Sequence, residues 1–331
     1  MPMKRMFVYC LGGLAMMLAS AGAANAQDLK LRISFASPYN TYCAPYLVAK
    51  EMGWLAEEGL ATTDIVMNGD ANATRALVTG SSDMAMTGPL NVFNGIESGA
   101  QIKWIGSWQK SVDYVVVAPQ KIKSLNELAD KTFASSGPSG LPQVLPVMLF
   151  KKMGIAADKV KFVSVGGHAA RLQAVIAGKA DGAIVNEITA IAGQKAGGVH
   201  VLASVADHFP KLGYIVLAVR NSDLADASKR RAFEALMRAS IRGARFIMDN
   251  PEKAAELVQR HIKGVDAETI AQVLKRLNAQ NVWPVDGGVD DGVTTFTSDL
   301  EYELGETKTK FTPDQVSDGS IVKKVLAEGV R

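Results

Sequence analysis

Five short turns carry residue types suited to holding a small polar ligand. Ser37 to Tyr42, Asn68-Gly69-Asp70-Ala71-Asn72 and Thr87-Gly88-Pro89 form one group. Ser135-Ser136-Gly137-Pro138-Ser139-Gly140 and Gly166-Gly167-His168 form a second. Each follows a β-rich run and precedes a helical stretch. In an open α/β lobe, ligands bind beyond the carboxyl ends of the strands. There the first N–H groups of the next helix attract anions. Small and hydroxylic residues let a ligand approach closely and supply donors. Such residues occur in every loop; five turns in register, split between two blocks, point to a cleft.

Single side chains add candidates, each with a structural alternative. His168 can donate to an anionic ligand or cap its helix. Glu187 can pair with a ligand amine or favour the start of the helix that follows. Tyr39 and Trp108 can stack on a ligand, whereas Trp54 and Trp104 suit the core. Asp113 can meet a cation in the cleft or a surface lysine. Chemistry beyond binding finds no support. His168, His200, His208 and His261 show neither HxH nor HExxH spacing, and a thiolate cluster is excluded. GxGxxG, GxxxxGK[ST] and GxSxG are absent. No catalytic residue, metal site or cofactor is expected, and the chain does not read as an enzyme.

The turns need strands and helices to position them. Strands are expected at Leu29 to Ala36, Thr62 to Met67, Met84 to Thr87, Lys103 to Trp108, Lys131 to Ser135, Val160 to Val165 and Gly182 to Val185. Between them lie helical spacings. Pro45 suits a first helical turn and Gly53 its end. Ser124 and Glu127 form a capping box before Leu128, and Ala169, Leu172 and Ile176 share one helix face. This alternation predicts mainly parallel α/β sheets. Two similar runs, Tyr114-Val115-Val116-Val117-Ala118 and Tyr214-Ile215-Val216-Leu217-Ala218, bracket a block that reads as a second α/β unit. Beyond it, Phe233, Leu236, Met237, Ile241, Ala244 and Met248 predict a long amphipathic helix. Asn250-Pro251 opens another, and Ile270, Val273, Leu274 and Leu277 mark a third.

Residues 1–26 read as a secretory signal. Lys4 and Arg5 precede an apolar run from Phe7 to Leu18, and Ala24-Asn25-Ala26 supplies a cleavage site. The run is short for a membrane span, so a periplasmic protein is expected, with an uncleaved N-terminal anchor as the alternative. The 36 basic and 33 acidic residues give a net charge of +3 without a basic stripe, which argues against nucleic acid as a partner. Cleavage leaves Cys43 as the single thiol, read as a small buried side chain.

Four runs together carry a family resemblance. Ala44-Pro45-Tyr46-Leu47-Val48-Ala49-Lys50-Glu51-Met52-Gly53-Trp54 and Arg75-Ala76-Leu77-Val78-Thr79-Gly80-Ser81-Ser82-Asp83-Met84-Ala85 are the first two. Lys123-Ser124-Leu125-Asn126-Glu127-Leu128 and Ala170-Arg171-Leu172-Gln173-Ala174-Val175-Ile176-Ala177-Gly178-Lys179-Ala180-Asp181 follow in order. The set resembles the nitrate/taurine/alkanesulfonate group of ABC-transporter substrate-binding proteins, over about residues 29 to 250. The resemblance implies a two-lobed type II periplasmic-binding fold, each lobe a mixed sheet flanked by helices, joined by two hinge strands. Lobe 1 would comprise 27–113 plus 220–331. Lobe 2 would be 114–219, including hinge strands 114–118 and 214–219. By matching position the cleft would hold Tyr39, Asn40, Tyr42, Thr87, Gly88, Ser136, His168 and Glu187, with Trp108 as a further stacking candidate. The implied function is capture of a small organic anion or zwitterion (a sulfonate, taurine-like molecule or carboxylate) by a monomer that delivers it to an ABC permease and ATPase. The alternative is a pyrimidine or thiamine-precursor binder, or a related enzyme on the same fold. Two departures stand out: Glu187 is followed by Ile188 where the family carries Glu-Pro, and Pro138, Pro142 and Pro146 delay or kink the helix after Ser136.

Overall fold

The computed structural model describes residues 29–136 and 141–330. The expected signal segment and Gly137 to Gly140 lie outside the described residues. Among the described residues ten strands are present: β1 (Leu29–Phe35), β2 (Leu60–Val66), β3 (Met84–Thr87), β4 (Ile102–Gln109), β5 (Tyr114–Ala118), β6 (Thr132–Ser135), β7 (Lys161–Ser164), β8 (Gly182–Asn186), β9 (His200–Ser204) and β10 (Ile215–Arg220). The helices before residue 160 are α1 (Ala44–Glu51), α2 (Trp54–Glu57), α3 (Asp70–Val78), α4 (Pro89–Glu97) and α5 (Leu141–Lys152). Next come α6 (His168–Ile176), α7 (Glu187–Lys195), α8 (Val205–His208), α9 (Asn221–Ala225) and α10 (Ala227–Asp249). The chain closes with α11 (Pro251–Gln259), α12 (Ala267–Ala279), α13 (Asp291–Glu303), α14 (Pro313–Val316) and α15 (Ser320–Glu328).

The strands form two five-stranded mixed sheets, ordered β2-β1-β3-β10-β4 and β7-β6-β8-β5-β9. In the first, β1 runs parallel to β2 and β3, while β10 is antiparallel to β3 and β4. In the second, β6 runs parallel to β7 and β8, while β5 is antiparallel to β8 and β9. Each sheet therefore takes one reversed strand from a chain that crosses between them twice. The expectation that 214–219 belongs to the second lobe is corrected by this pairing. Leu217 pairs with Met86 and Ala218 with Trp104, both in the first sheet.

Local sequence accounts for several boundaries. Pro45 sits in the first turn of α1, and Gly53 adopts φ +78° after its end, a backbone region costly for other residues. Helix α5 is described from Leu141 and carries Pro146 inside it. The capping box yields a single 3-10 turn, Leu125–Leu128. Its Glu127 carboxylate accepts from the Ser124 hydroxyl at 3.0 Å, so that hydroxyl does not cap the helix. In α6 the buried face is Arg171, Leu172 and Val175, while Ile176 is 41% exposed and Ala169 faces solvent. The guanidinium turns the helix, donating to the carbonyls of Ile184 and Gly166, each at 2.7 Å.

The first lobe packs around a stack of rings. Trp108 lies against Tyr46 with centroids 4.8 Å apart and against Phe35 at 5.7 Å. Its indole N–H donates to the Ser240 hydroxyl of α10 at 3.0 Å. One turn further, α10 meets α1 without a side chain between them: a Cβ on Gly243 would lie 2.1 Å from the Pro45 carbonyl oxygen. That obstacle is backbone and cannot rotate aside. We expect Gly243→Ala to lower the urea midpoint at unchanged m-value, by about 1–3 kcal/mol as for overpacked cores. An unchanged midpoint would show that the two helices separate at no cost.

Candidate functional site

A cleft of about 530 Å³ opens between the two sheets. Turns after β1, β2 and β3 supply one wall, through Ser37, Asn68, Asp70 and Gly88. Leu141, Pro142 and Val144 of α5 supply the opposite one. The two crossings contribute Tyr114 and Tyr214, and the end of α13 adds Glu301, Leu304 and Glu306.

The β3 turn is closed by a carboxylate of the protein itself. Asp70 stands in the first turn of α3, where a negative charge is favoured. Its Oδ1 accepts from the Gly88 N–H at 2.8 Å and from the Thr87 hydroxyl at 3.2 Å. The N–H at the start of α4 is thus already answered. Thr87 is buried and also faces the Thr74 hydroxyl, so it holds the turn and does not line the cleft.

Three tyrosines form the aromatic floor. Tyr214 meets Tyr42 at 6.0 Å and 88°, and Tyr114 at 6.1 Å and 73°. Both are edge-to-face contacts, the arrangement ring quadrupoles prefer. The Tyr42 hydroxyl is hydrogen-bonded to Ser37, and Tyr214 lies close to the Asp113 carboxyl. Asp113 is buried on the first crossing, and its Oδ1 has no described partner. Burial, with Glu187 nearby, pushes its carboxyl up to about 7.

Among the expected site residues, Tyr42 and Gly88 line the cleft. Tyr39 turns away and donates to Asp64 at 2.6 Å, within a cluster shared with Tyr46 and Lys50. Asn40 caps a 3-10 turn by accepting from the Thr41 N–H at 2.6 Å. Trp108 is fully buried in the core. Ser136 is half-buried beyond β6 and outside the cleft lining. His168 stands beside Tyr114 at 5.5 Å. Its Nδ1 accepts from the Asn186 N–H at 3.0 Å, which places the proton on Nε2. Burial and the Arg171 charge bring its pKa down to about 4, so it is neutral. Glu187 is 2% exposed and pairs with Arg276 of α12 at 3.0 Å. It bridges the lobes, a role a single following residue did not reveal.

Asp70 falls within one of the expected turns, whereas Tyr114, Tyr214, Glu301 and Glu306 were not singled out as cleft residues. The two similar runs did hold a signal, because each opens with a tyrosine where the chain crosses. Nothing in spacing marks Glu301, which sits on an amphipathic helix far along the chain.

The buried carboxyls make a pH prediction. Asp113 and Glu301 both titrate at about 7, raised above their ordinary values of 3.8 and 4.5. Between those values and 7, the folded state holds protons that the unfolded state releases. Their contribution to stability is therefore lost as pH rises through that window. His168, depressed to about 4, works in the opposite direction, so the comparison must be made between variants. Asp113→Asn should gain stability relative to the parent as pH is raised from about 5 to about 8. Urea midpoints at the two values check this, and a pH-independent difference would refute it.

Comparison with known proteins follows the same geometry. The family model described as NMT1/THI5 like matches residues 40–254. A curated relative, "Putative binding protein YtlA" of Bacillus subtilis (strain 168), is 22% identical, covering 97% of this chain and 96% of that one. Among solved structures, a ligand-binding component of an ABC-type import system from Staphylococcus aureus superposes with TM-score 0.71 at 18% identity, over 90% of this chain and 99% of the other. The periplasmic aliphatic sulphonate binding protein SsuA from Escherichia coli gives 0.69 at 17%, over 89% and 99%. The nitrate-binding protein NrtA from Synechocystis PCC 6803 gives 0.65 at 14%, over 92% and 89%. The two mixed sheets and the cleft between them have the periplasmic-binding-protein architecture of these neighbours, and the chain belongs to the NMT1/THI5-like family.

Proposed function

We propose that the protein is an extracytoplasmic solute-binding component of an ABC importer, taking a small organic solute into the interlobe cleft. The observation that carries this is the cleft itself, lined from both sheets and from both crossings. The lobes would be 27–113 with 215–331, and 114–214. The solute would meet one lobe first, and closure of the other would bury it. The closed monomer would then be the form a permease recognises. A leader at residues 1–26 would send the chain to the periplasm. Binding without catalysis is supported by the thiol of Cys43, which is buried and pushed up to about 12 by desolvation, too high to act as a nucleophile. It is further supported by His168, whose Nδ1 is held by Asn186 and Arg171.

A thermal-shift screen of organic solutes, with small-angle scattering on each hit, tests the reading. A true ligand at about 100 times its Kd should add roughly 2.7 kcal/mol of stability, and the radius of gyration should fall. Hits that stabilise without compaction would argue against closure, and silence across a broad library would argue against solute binding.

The contact between α7 and α12 makes a separate prediction. Arg276 reaches Glu187 at 3.0 Å and Gln194 at 2.6 Å across the lobes. Arg276→Met leaves the buried Glu187 without its cation, at a cost of roughly 1–3 kcal/mol. Adding Glu187→Gln should restore part of this, giving a coupling energy in a double-mutant cycle. Additive effects would mean that the pair does not hold the lobes.

A further inference from the structure

The charge of the cleft has a single sign. Among the described residues Asp70, Glu301 and Glu306 line it, and no lysine, arginine or histidine does. None of these three carboxylates makes an ion pair with a described residue. Glu301 is the most telling. It is 6% exposed, no described group donates to its side chain, and it nevertheless lines the cleft. A buried carboxylate without partner is costly, and burial together with Glu306 pushes it up to about 7. The opposite requirement is poorly served. An anion seated at the start of α4 would find the Gly88 N–H already held by Asp70 at 2.8 Å and would meet that carboxylate's charge.

The surrounding lining is organic in character. Tyr42, Tyr114 and Tyr214 present ring faces and edges, and Leu90, Pro142 and Val144 add an apolar wall. Aromatic faces attract cations, quaternary ammonium groups included. We propose that the cleft takes an organic cation, a protonated amine or quaternary ammonium on a small apolar body, with Glu301 as its main counter-charge and Asp70 and Glu306 beside it. This rests on the solute-binding reading and narrows it. A taurine-like zwitterion would enter by its ammonium, whereas a bare anion such as nitrate meets three carboxylates.

The test uses matched probes on the purified protein at low salt: benzylamine, benzyl alcohol and benzenesulfonate, with butylamine, butanol and butanesulfonate beside them. Titration calorimetry at about pH 8 keeps the carboxyls ionised. At least one ammonium probe should bind about tenfold or more tighter than its matched sulfonate. Glu301→Gln should remove roughly tenfold of that affinity and leave the alcohol within about twofold. Thermal unfolding of Glu301→Gln controls for folding, and Glu306→Gln should give a smaller loss in the same direction. A preference for sulfonate overturns the proposal. So does an ammonium affinity indifferent to Glu301→Gln, or no ammonium binding up to about 10 mM. A sulfonate or alcohol that binds in the cleft would sink the cation and keep the solute-binding reading. The broader screen judges that reading by itself.

Discussion

The two passages of the chain between the sheets meet where Tyr214 lies close to the buried Asp113 carboxyl. Asp113 ends the first crossing and Tyr214 begins the strand that completes the other sheet. The same aspartate accepts the Glu187 N–H on its carbonyl at 2.9 Å, which sets the end of β8. On the second crossing, the Gly213 N–H donates to the Thr297 hydroxyl of α13 at 2.8 Å. A Cβ on Gly213 would lie 3.0 Å from that oxygen and 3.4 Å from Pro89, so α13 and α4 converge closely there. Thr297 and Glu301 are four residues apart and share a helix face. The crossing therefore brings Glu301 to the cleft, and a local backbone bond fixes the position of a remote charge.

Buried charge is handled in two ways in this fold. Arg171 is 1% exposed and has no carboxylate partner, yet its guanidinium is satisfied by two carbonyls and by His168 Nδ1. Burial lowers its pKa without stripping its hydrogen bonds. It serves as a rigid brace for the Gly166–His168 turn and fixes the histidine tautomer. Asp113 and Glu301 lack such complete partners, and their pKa values rise accordingly. Satisfied buried charge stabilises a turn, whereas unsatisfied buried charge stays available to an outside partner. That distinction separates the scaffold of the cleft from the groups that can act in it.

Much of the scaffold was legible because local rules act alone there. Pro45 and Gly53 bounded α1, the apolar runs gave most strands, and Phe233, Leu236, Met237, Ile241 and Ala244 defined the buried face of α10. β9 was missed because His200-Val201-Leu202-Ala203 is only partly buried at a sheet edge and lacks alternation. The α6 face was misread because hydropathy cannot anticipate a buried arginine bonded to carbonyls. The site was less legible than the fold. Tyr42 and Gly88 could be placed from their turns, but Tyr39, Trp108 and Glu187 found partners within the protein first, in Asp64, Ser240 and Arg276. Polar residues near strand ends have many possible partners, and sequence does not rank them.

The same limit applies to ligand charge. A helix start after a β-strand offers N–H donors, and on that ground the turns here suggested an anion site. Before α4 the Gly88 N–H is taken by Asp70, in the first turn of the preceding helix. Such a substitution leaves the backbone, the sheet order and the cleft untouched. It nevertheless reverses the charge that the turn offers to solvent. Solved neighbours at 14 to 18% identity can therefore share this fold closely and carry no information about the sign of the group bound here. On the cation reading that sign would follow from which side chain reaches the turn first, and at this turn Asp70 does.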